Sequence, residues 1–435
     1  MRLFTALVIY RLLLPLLFIA AFPGWIVKML RRGGLGTRLG ERVAVYTTEP
    51  EYESCGATHL HAISVGEALL ALKLIREWLV REPDRCFVIA TGTATGHAVA
   101  TAAAIQQVRV TYAPLDFPSM VRRYLGRFEP AEIVFIEGDI WPHLLVECRK
   151  RNIPTALVNA RMSPRSARRF SRFAKWIRPI FSLLDAVAIQ QAEDALLWQN
   201  LGARPQHIHD TGSLKFDSLA GEATAIDSHF QQMLDVFGKN RPVILAASTH
   251  AGEDAWIASA IHAALPEALI VIVPRHAERR AEVSNDLSRV GFPVILRSQF
   301  QLVNEAHPNI QPHTVFVIDS TGELRAWTTL ADVVIIGKSF LSTGGQNPTE
   351  AIMAGKPVIF GQHMENFEPL ATHLTAAEAC LVASGQASLS KSILVALDPQ
   401  IAQRMTANAK RIIDHHRGAT SRIIDLLSSL QALQK

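Results

Sequence analysis

The sequence predicts an α/β protein with two doubly wound domains, preceded by a membrane-associated helix. Short apolar runs rich in β-branched residues alternate with helical patterns along most of the 435-residue chain, which is typical of parallel sheets with helices on both faces. A polar, helix-forming stretch over residues 220–240 interrupts this alternation, and residues 3–30 are almost wholly apolar. We therefore assign residues 1–32 to a membrane anchor or interfacial helix, 33–215 to a first domain and 216–435 to a second domain with terminal helices.

Composition sets broad limits on the function. Hydrophobic residues make up 49% of the chain, enough for two cores, and the net charge is +5. A mild positive charge is compatible with anionic lipids, nucleic acid or small anions and does not choose among them. The four cysteines, Cys55, Cys86, Cys148 and Cys380, lie far apart with no C-x-x-C pair. This spacing argues against a disulfide framework or a zinc site and favours a reducing compartment.

The N-terminal apolar segment predicts a retained membrane helix. Its charge-free part, Leu12 to Val27, is short for a perpendicular span, and no small-residue cleavage site follows it. Basic residues come next, and by the positive-inside tendency they keep the remainder of the chain cytoplasmic. They are Lys28, Arg31, Arg32, Arg38 and Arg42. Spanning the membrane and lying on it both stay open, and burial in a soluble core is the structural alternative.

In the first domain, the site candidates are polar residues at the carboxyl ends of predicted strands, because ligands of such sheets bind there. Strands are predicted over Leu60–Val65, Phe87–Thr91, Val108–Tyr112, Ile133–Ile136, Ala156–Asn159, Ala186–Ile189 and Ile208–Thr211. Helices are predicted over Glu67–Leu79, Gly96–Ala104, Pro118–Phe128, Trp141–Arg151 and Ala192–Leu201.

Three acidic residues stand at such strand ends. Glu67 lies where the first strand becomes a helix, and it is either a general base or a first-turn acid that favours the helix dipole. Glu137 and Asp139 flank Gly138 after the fourth strand. Two acids at that spacing can hold a divalent metal, but we prefer a turn with a helix-capping acid. Since no D-x-D element accompanies them, we predict no metal site.

A basic run over Arg161–Arg178 predicts an amphipathic helix. It contains seven Arg and Lys residues and no acid, with Phe170, Phe173, Trp176 and Ile177 interleaved at helical spacing. Such a helix suits an anionic membrane surface or a phosphorylated lipid. A solvated basic face is the alternative, and no nucleic-acid-binding motif accompanies the charge.

In the second domain, one stretch predicts a strand, a glycine-bearing loop and a helix start. Strands are predicted over Val243–Ala247, Leu269–Val273, Val294–Leu296, Val315–Ile318, Val333–Ile336 and Val358–Phe360, and a final helical pattern over Ile401–Leu433. After the fifth strand, Gly344 and Gly345 permit close backbone approach. Asn347 suits an N-cap, Pro348 the first helical position, and Glu350 the first turn. The helix start favours a phosphate, and an ordinary strand–turn–helix is the alternative.

Other strand-end loops are expected to converge on this stretch and to bind a nucleotide with it. Ser248-Thr249-His250, with Gly252-Glu253, follows the first strand of the domain. Arg275 and His276 follow the second and offer a guanidinium fork and a pH-sensitive donor. The turn Thr321-Gly322-Glu323 begins another helix. Two such domains form a cleft between them, a preferred ligand site.

In the identity of these motifs and their order along the chain, the sequence resembles the Kdo (3-deoxy-D-manno-octulosonic acid) transferases of Gram-negative lipopolysaccharide synthesis. The resemblance covers nearly the whole chain. It rests on the apolar N-terminus and on Ser64-Val65-Gly66-Glu67, Leu157-Val158-Asn159-Ala160-Arg161-Met162-Ser163, Gly212-Ser213-Leu214-Lys215-Phe216-Asp217, Ala247-Ser248-Thr249-His250, Val273-Pro274-Arg275-His276 and Gly344-Gly345-Gln346-Asn347-Pro348-Thr349-Glu350.

The resemblance implies a two-domain GT-B fold and an inverting transfer of Kdo from CMP-Kdo to a lipid A precursor, without a metal or another cofactor. It implies that Glu67 is the general base and that Glu137 and Lys215 stabilise the transition state. The implied location is the cytoplasmic side of the inner membrane, on an anionic surface and without nucleic acid. The implied CMP-binding residues are Ser248, Thr249, Arg275, His276, Thr321, Gly322, Glu323, Asn347, Pro348, Thr349 and Glu350.

The sequence departs from the family pattern at three places. Gly337-Lys338 stands where two glycines are usual, Gln346 where histidine is usual, and Glu137-Gly138-Asp139 where glutamate–threonine–glutamate is more frequent. Two other interpretations therefore stay open. One is a membrane-associated GT-B glycosyltransferase with a different sugar nucleotide, and the other is a catalytically degenerate, membrane-tethered nucleotide-binding protein.

Overall fold

The computed structural model describes residues 3–31, 38–46, 56–217, 228–238, 240–300, 310–311 and 313–432. These residues form two compact units, the first made of Met1–Leu219 and His416–Lys435 and the second of Ala220–His415. Cys55 and residues 220–227 and 239 of the predicted polar stretch lie outside the described residues. The boundary at Leu219 falls close to the predicted one, but the C-terminal segment belongs to the first unit, whereas the sequence placed it with the second domain.

The first unit is built around a parallel sheet of seven strands in the order β3-β2-β1-β4-β5-β6-β7. Its elements are α1 Leu3–Arg31, α2 Leu39–Arg42, β1 Thr58–Ala62, α3 Val65–Arg81, β2 Phe87–Thr91, α4 Ala94–Ala102, β3 Val108–Tyr112, α5 Pro118–Phe128, β4 Glu132–Ile136, α6 Pro142–Lys150, β5 Thr155–Ala160, α7 Pro164–Arg172, α8 Ala174–Phe181, β6 Ala186–Ile189, α9 Ala195–Leu201 and β7 Ile208–Asp210. Apolar clusters cover both faces of this sheet, so its central strands are buried on both sides, as the continuous apolar runs predict.

The second unit repeats the design with seven parallel strands in the order β10-β11-β9-β8-β12-β13-β14. The elements that follow β7 are α10 Ser228–Val236, β8 Val243–Thr249, α11 Glu253–Ala264, β9 Leu269–Pro274, α12 Arg280–Arg289, β10 Val294–Leu296, β11 Val315–Val317, α13 Leu324–Leu330, β12 Val333–Ile336, α14 Thr349–Met353, β13 Val358–Phe360, α15 Leu370–Ala376, β14 Leu381–Val382, α16 Gln386–Leu397, α17 Pro399–His416 and α18 Ala419–Ala432. The doubly wound architecture predicted for each half of the chain is confirmed.

Three predicted elements need correction. The first strand ends at Ala62 rather than Val65, because Ser64 caps helix α3 and draws the next residues into it. The basic run over Arg161–Arg178 contains two helices, α7 and α8, that meet at Phe173. The terminal helical pattern is also two helices, separated where Gly418 adopts a φ of 76° that favours glycine.

Helix α1 packs one side against the first unit and exposes the other. Ala6 is buried, and the Tyr10 hydroxyl donates a 2.9 Å hydrogen bond to Asp116. The helix also packs against α8. Its exposed apolar side chains include Phe4, Leu12, Leu16, Leu17 and Ile19. By length and composition alone, the segment Leu3–Ala20 is sufficient to cross a membrane.

Candidate active site

In the first unit, the candidate residues lie where the strand order reverses. Strand β1 stands between β2 and β4, so the connections after β1 and β4 leave the sheet in opposite directions. This reversal opens a crevice at the carboxyl ends of the two strands, the usual ligand position in such sheets. Glu67 follows β1, and Glu137 and Asp139 follow β4. The fold therefore brings together three acidic residues that are far apart in the sequence.

Glu67 forms a reciprocal cap with Ser64 at the start of α3. The Glu67 backbone N–H donates to Ser64 Oγ at 3.2 Å, and the Ser64 hydroxyl donates to Glu67 Oε1 at 2.9 Å. The second carboxylate oxygen, Oε2, accepts the Ile63 N–H at 2.7 Å. The interpretation of Glu67 as a first-turn acid is therefore structurally correct. This structural role does not exclude a role as general base, because a carboxylate can accept about four hydrogen bonds and only two donors in the described part of this unit, the Ser64 hydroxyl and the Ile63 N–H, bind it.

The surroundings of Glu67 favour proton exchange near neutral pH. Burial and, to a smaller extent, the nearby charge of Asp139 raise the pKa of the Glu67 carboxyl from 4.5 to about 7. The hydrogen bonds from Ser64 and Ile63 oppose this shift, and Glu137 adds a smaller increase. A carboxyl group with a pKa near the working pH can take a proton in one step and release it in another.

The loop after β4 holds Glu137 in a conformation that is unusual for a non-glycine residue. Its φ is 65°, and its carbonyl oxygen accepts the Arg161 N–H at 2.9 Å. The preferred interpretation of Asp139 as a helix cap is wrong, since Trp141 occupies the cap position of α6 and no side-chain hydrogen bond caps this helix start in the described structure. Desolvation raises the pKa of the Asp139 carboxyl. Instead of capping the helix, Asp139 raises the pKa of Glu67 through its negative charge.

Lys215 lies on the loop after β7, and the charge of Glu137 reaches it. Desolvation lowers the pKa of the Lys215 ammonium and Arg161 lowers it further, whereas Glu137 raises it. Glu137 thus influences both Glu67 and Lys215. The three residues assigned to catalysis by resemblance share one electrostatic environment within the first unit.

Two residues that the sequence analysis did not single out hold the Lys215 loop. The Lys73 ammonium on α3 donates to the Leu214 carbonyl oxygen at 2.7 Å and also to the Asp217 carbonyl oxygen. Asn159, at the end of β5, accepts the Leu214 N–H at 2.9 Å through Oδ1. No local pattern predicts these contacts, because they join residues that are far apart in the sequence.

In the second unit, a buried carboxylate joins the loops at the corresponding reversal between β8 and β12. Glu253 is fully buried at the start of α11. Its Oε2 accepts the N–H of Lys338 at 2.6 Å and of His250 at 3.1 Å, and its Oε1 accepts the N–H of Phe340 at 3.3 Å. The sequence analysis named Glu253 but gave it no role. The structure shows that it ties together two of the loops that were expected to converge.

The glycine loop after β12 is shaped by packing. A Cβ atom at Gly344 would lie 2.6 Å from Asn366 Nδ2, and one at Gly345 would lie 2.5 Å from Met364 Sδ, so both positions favour glycine.

The helix start after this loop differs slightly from the prediction. Asn347 accepts the Thr349 N–H at 3.1 Å and the Thr349 hydroxyl at 2.8 Å. The helix begins at Thr349, one residue later than predicted, so Pro348 precedes it. The side chains of Asn347 and Glu350 are exposed, whereas Pro348 and Thr349 are buried.

The other predicted nucleotide-binding residues follow adjacent strands, because β11, β9, β8 and β12 are neighbours in the sheet. Arg275 and His276 expose their side chains after β9. Ser248 adopts a φ of 57°, and the buried Thr249 donates its hydroxyl hydrogen to Asp254 at 2.5 Å.

The loop after β11 holds the remaining predicted residues. Thr321 and Gly322 are exposed, and the Glu323 carboxylate accepts hydrogen bonds from Arg297 and Trp327. Thr249 and Glu323 are thus engaged within the unit.

Sequence comparison assigns the chain to a known family. The sequence profile described as 3-deoxy-D-manno-octulosonic-acid transferase (kdotransferase) matches residues 37–218. A 3-deoxy-D-manno-octulosonic acid transferase of Haemophilus influenzae is 31% identical over 90% of this chain and 90% of its own length. The chain belongs to the Kdo transferase family. A second family member, from Bordetella pertussis, is 35% identical over 85% of this chain and 86% of its own length.

A solved structure supports the fold independently of close sequence similarity. The UDP-GlcNAc 2-epimerase of Neisseria meningitidis is 15% identical to this Kdo transferase family member, with a TM-score of 0.55 over 86% of this chain and 100% of that one. The match extends over both units, so the GT-B-type architecture implied by the resemblance is confirmed. The family members identify this chain as a glycosyltransferase.

Proposed function

We propose that this chain is an inverting transferase that moves Kdo from CMP-Kdo to a lipid A precursor at the cytoplasmic side of the inner membrane. The observation that carries the proposal is the position of Glu67. It is a buried carboxyl with a pKa of about 7 at the strand-order reversal of the first sheet, and Glu137 connects it electrostatically with Lys215. Such an arrangement suits the deprotonation of an alcohol that attacks a sugar carbon.

In the proposed reaction, an acceptor hydroxyl oxygen forms a bond with the anomeric carbon of Kdo while the bond from that carbon to the CMP phosphate oxygen breaks. The hydroxyl proton passes to Glu67, and the bonding electron pair leaves with CMP. The positive charge of Lys215 stabilises the negative charge that develops during transfer. Arg275 supports the proposal that the nucleotide binds to the second unit, since its exposed guanidinium follows β9 and suits a phosphate.

The membrane part of the proposal rests on α1 and the basic helices. Helix α1 exposes large apolar side chains on one side while Tyr10 attaches the other side to the first unit. It also packs against α8, which belongs to the basic run. Exposed basic side chains on α7 and α8 include Arg165, Arg168, Arg169, Arg172, Lys175 and Arg178. We therefore propose that α1 lies in the membrane interface and that the basic run contacts anionic lipid headgroups.

The decisive experiment is a transfer assay. The purified full-length protein is incubated in detergent with CMP-Kdo and a tetraacylated lipid A precursor, and the lipid product is weighed by mass spectrometry while CMP release is followed. We expect one or more Kdo increments on the lipid, and a loss of transfer in the Glu67→Gln variant. Absence of product from the wild-type protein contradicts the proposal. Inhibition by UDP but not by CMP instead favours a glycosyltransferase with another sugar nucleotide.

A further inference from the structure

Three side chains of the second unit meet where β8 and β12 end. Gln346 Nε2 lies 3.0 Å from His250 Nε2. An amide nitrogen can only donate, so the ring nitrogen accepts and His250 is neutral in this arrangement. Burial lowers the pKa of His250, and the positive charge of Lys338 lowers it further. Lys338 and Gln346, two of the departures from the family pattern, thus act on the same histidine.

The fold holds Lys338 in a backbone conformation that glycine adopts more readily. Its φ is 55°, a region that L side chains rarely occupy. Its N–H donates to Glu253 Oε2 at 2.6 Å, and its carbonyl oxygen accepts the Gly345 N–H at 2.9 Å. The preceding residue is fixed as well, because a Cβ atom at Gly337 would lie 2.5 Å from the Ser248 carbonyl oxygen. A lysine is therefore present at a position where the backbone alone favours glycine.

The ammonium group of Lys338 is available to a ligand. Its stem passes the glycine loop, since a Cβ atom at Gly344 would lie 3.6 Å from Lys338 Cε. Lys338 forms no ion pair within the described part of the chain. The nearest carboxylate in its hydrogen-bond network is that of Glu253, which is buried and accepts three backbone N–H groups. A half-buried cation without a carboxylate partner attracts anions strongly.

We propose that Lys338 and Gln346 form a subsite for an anionic oxygen of the sugar nucleotide, with His250 orienting the Gln346 amide. Lys338 supplies the positive charge. Gln346 retains a second amide hydrogen and a carbonyl oxygen for the ligand after one hydrogen is donated to His250. The subsite rests on the proposed function, because it assumes that the donor binds at the carboxyl end of this sheet. The anionic oxygen belongs either to the sugar carboxylate or to the phosphate.

Binding measurements on three variants of the full-length protein test the subsite. Lys338→Asn removes the charge and keeps a residue that tolerates positive φ, whereas Lys338→Arg keeps the charge. Lys391→Asn is the matched control, since Lys391 is an exposed lysine on α16 of the same unit. Calorimetry gives the affinities for cytidine and CMP, and steady-state kinetics gives the KM for CMP-Kdo. Thermal midpoints verify folding, and Lys338→Gly replaces Lys338→Asn if the latter fails to fold.

We expect Lys338→Asn to raise the KM for CMP-Kdo about tenfold, the usual effect of losing one charge-assisted hydrogen bond. Affinity for cytidine stays at the wild-type value, and Lys338→Arg retains most of the donor affinity. Unchanged CMP affinity in Lys338→Asn assigns the anionic oxygen to the sugar carboxylate, and a parallel loss of CMP affinity assigns it to the phosphate. Wild-type values for both CMP and CMP-Kdo in a folded Lys338→Asn or Lys338→Gly variant overturn the subsite alone. A wild-type protein that binds no CMP and uses no CMP-Kdo overturns the proposed function as well.

Discussion

Ser64 and Glu67 cap the first turn of α3 reciprocally, the hydroxyl of one donating to the carboxylate of the other at 2.9 Å while accepting its backbone N–H at 3.2 Å. The same carboxylate is the proposed base. Because the cap positions the side chain, its geometry is fixed by secondary structure before any substrate binds. Glu67 therefore has a structural role beside its proposed chemical role, and the two can be separated by substituting one partner at a time.

The first prediction compares the two halves of this pair. Glu67→Gln keeps the shape of the side chain and removes its basicity, so turnover should fall by about a hundredfold or more. Ser64→Ala keeps the base and removes the cap, which should cost about 1 kcal/mol of unfolding free energy with a much smaller loss of turnover. Transfer assays and urea denaturation measure both quantities. Equal turnover losses in the two variants would mean that Glu67 acts only through the helix start.

The second prediction concerns the pH dependence of the reaction. Because the pKa of Glu67 is about 7, kcat/KM should rise with pH below about 7 and level off above it, as the base becomes ionised. Asp139→Asn removes a neighbouring negative charge and should move this inflection to lower pH. Glu137→Gln should move it less, since Glu137 has the smaller effect on Glu67. An inflection that stays in place in Asp139→Asn would assign the titration to another group.

The same pKa shift predicts how stability depends on pH. The folded-state pKa of Glu67 is raised above its ordinary value of 4.5, so the native state binds the proton more tightly than the unfolded state. Its contribution to stability is present below pH 4.5 and is lost as pH rises through about 7. Glu67→Gln should therefore lower the pH dependence of the unfolding free energy between pH 5 and pH 8, as measured by urea titrations. An identical pH dependence in wild type and variant contradicts the shift.

The fourth prediction tests whether Lys73 holds the loop that carries Lys215. Lys73→Met removes the ammonium that binds the Leu214 and Asp217 carbonyl oxygens, so the Lys215 loop should lose its fixed position. We expect kcat to fall about tenfold, while the affinity for CMP stays at the wild-type value, because the proposed nucleotide residues lie on the other unit. Arg76→Met is the control, since Arg76 is an exposed cation on the same helix. A similar loss in both variants would indicate a general effect of charge.

The fifth prediction concerns the membrane. Removal of residues 1–30 should leave weak binding to vesicles that contain anionic phospholipid, and added salt should abolish this binding. Replacing Arg168, Arg169 and Arg172 by glutamine in the shortened chain should eliminate it even at low salt. Vesicle sedimentation measures both effects, and circular dichroism verifies the fold. If the shortened chain ignores anionic vesicles at low salt, the basic run is only a solvated surface.

The central strands were predictable because each is a short apolar run buried on both faces. Strands such as Phe87–Thr91 and Val333–Ile336 have the predicted bounds, since short uncharged runs rich in β-branched residues suit buried parallel strands. The two-residue strand Leu381–Val382 was missed because so short an edge strand leaves no periodicity to recognise. Helix boundaries were less certain, since caps such as Ser64 move them by one or two residues.

The candidate site was predictable only where a residue stands at a strand end. This rule finds Glu67 and Glu137, and the S-x-x-E pattern of a capping box could also have identified Ser64. The rule names Glu253 without its role and does not find Lys73, because the partners of both residues are backbone groups of distant loops and depend on the folded sheet order. The contact between Gln346 and His250 is of the same kind.

The last helix makes the first unit discontinuous in the sequence. Ile423, Ile424 and Leu427 of α18 pack into the core of the first sheet, and Asp217 accepts the N–H groups of Gly418 at 2.8 Å and Thr420 at 2.7 Å. Helices α3 and α4 cover part of the same face of this sheet. During synthesis on the ribosome, the part that α18 covers stays exposed until the whole second unit has been translated. The unit whose synthesis begins first is therefore completed last. While the second unit is being made, the nascent chain exposes an apolar surface that is prone to aggregation.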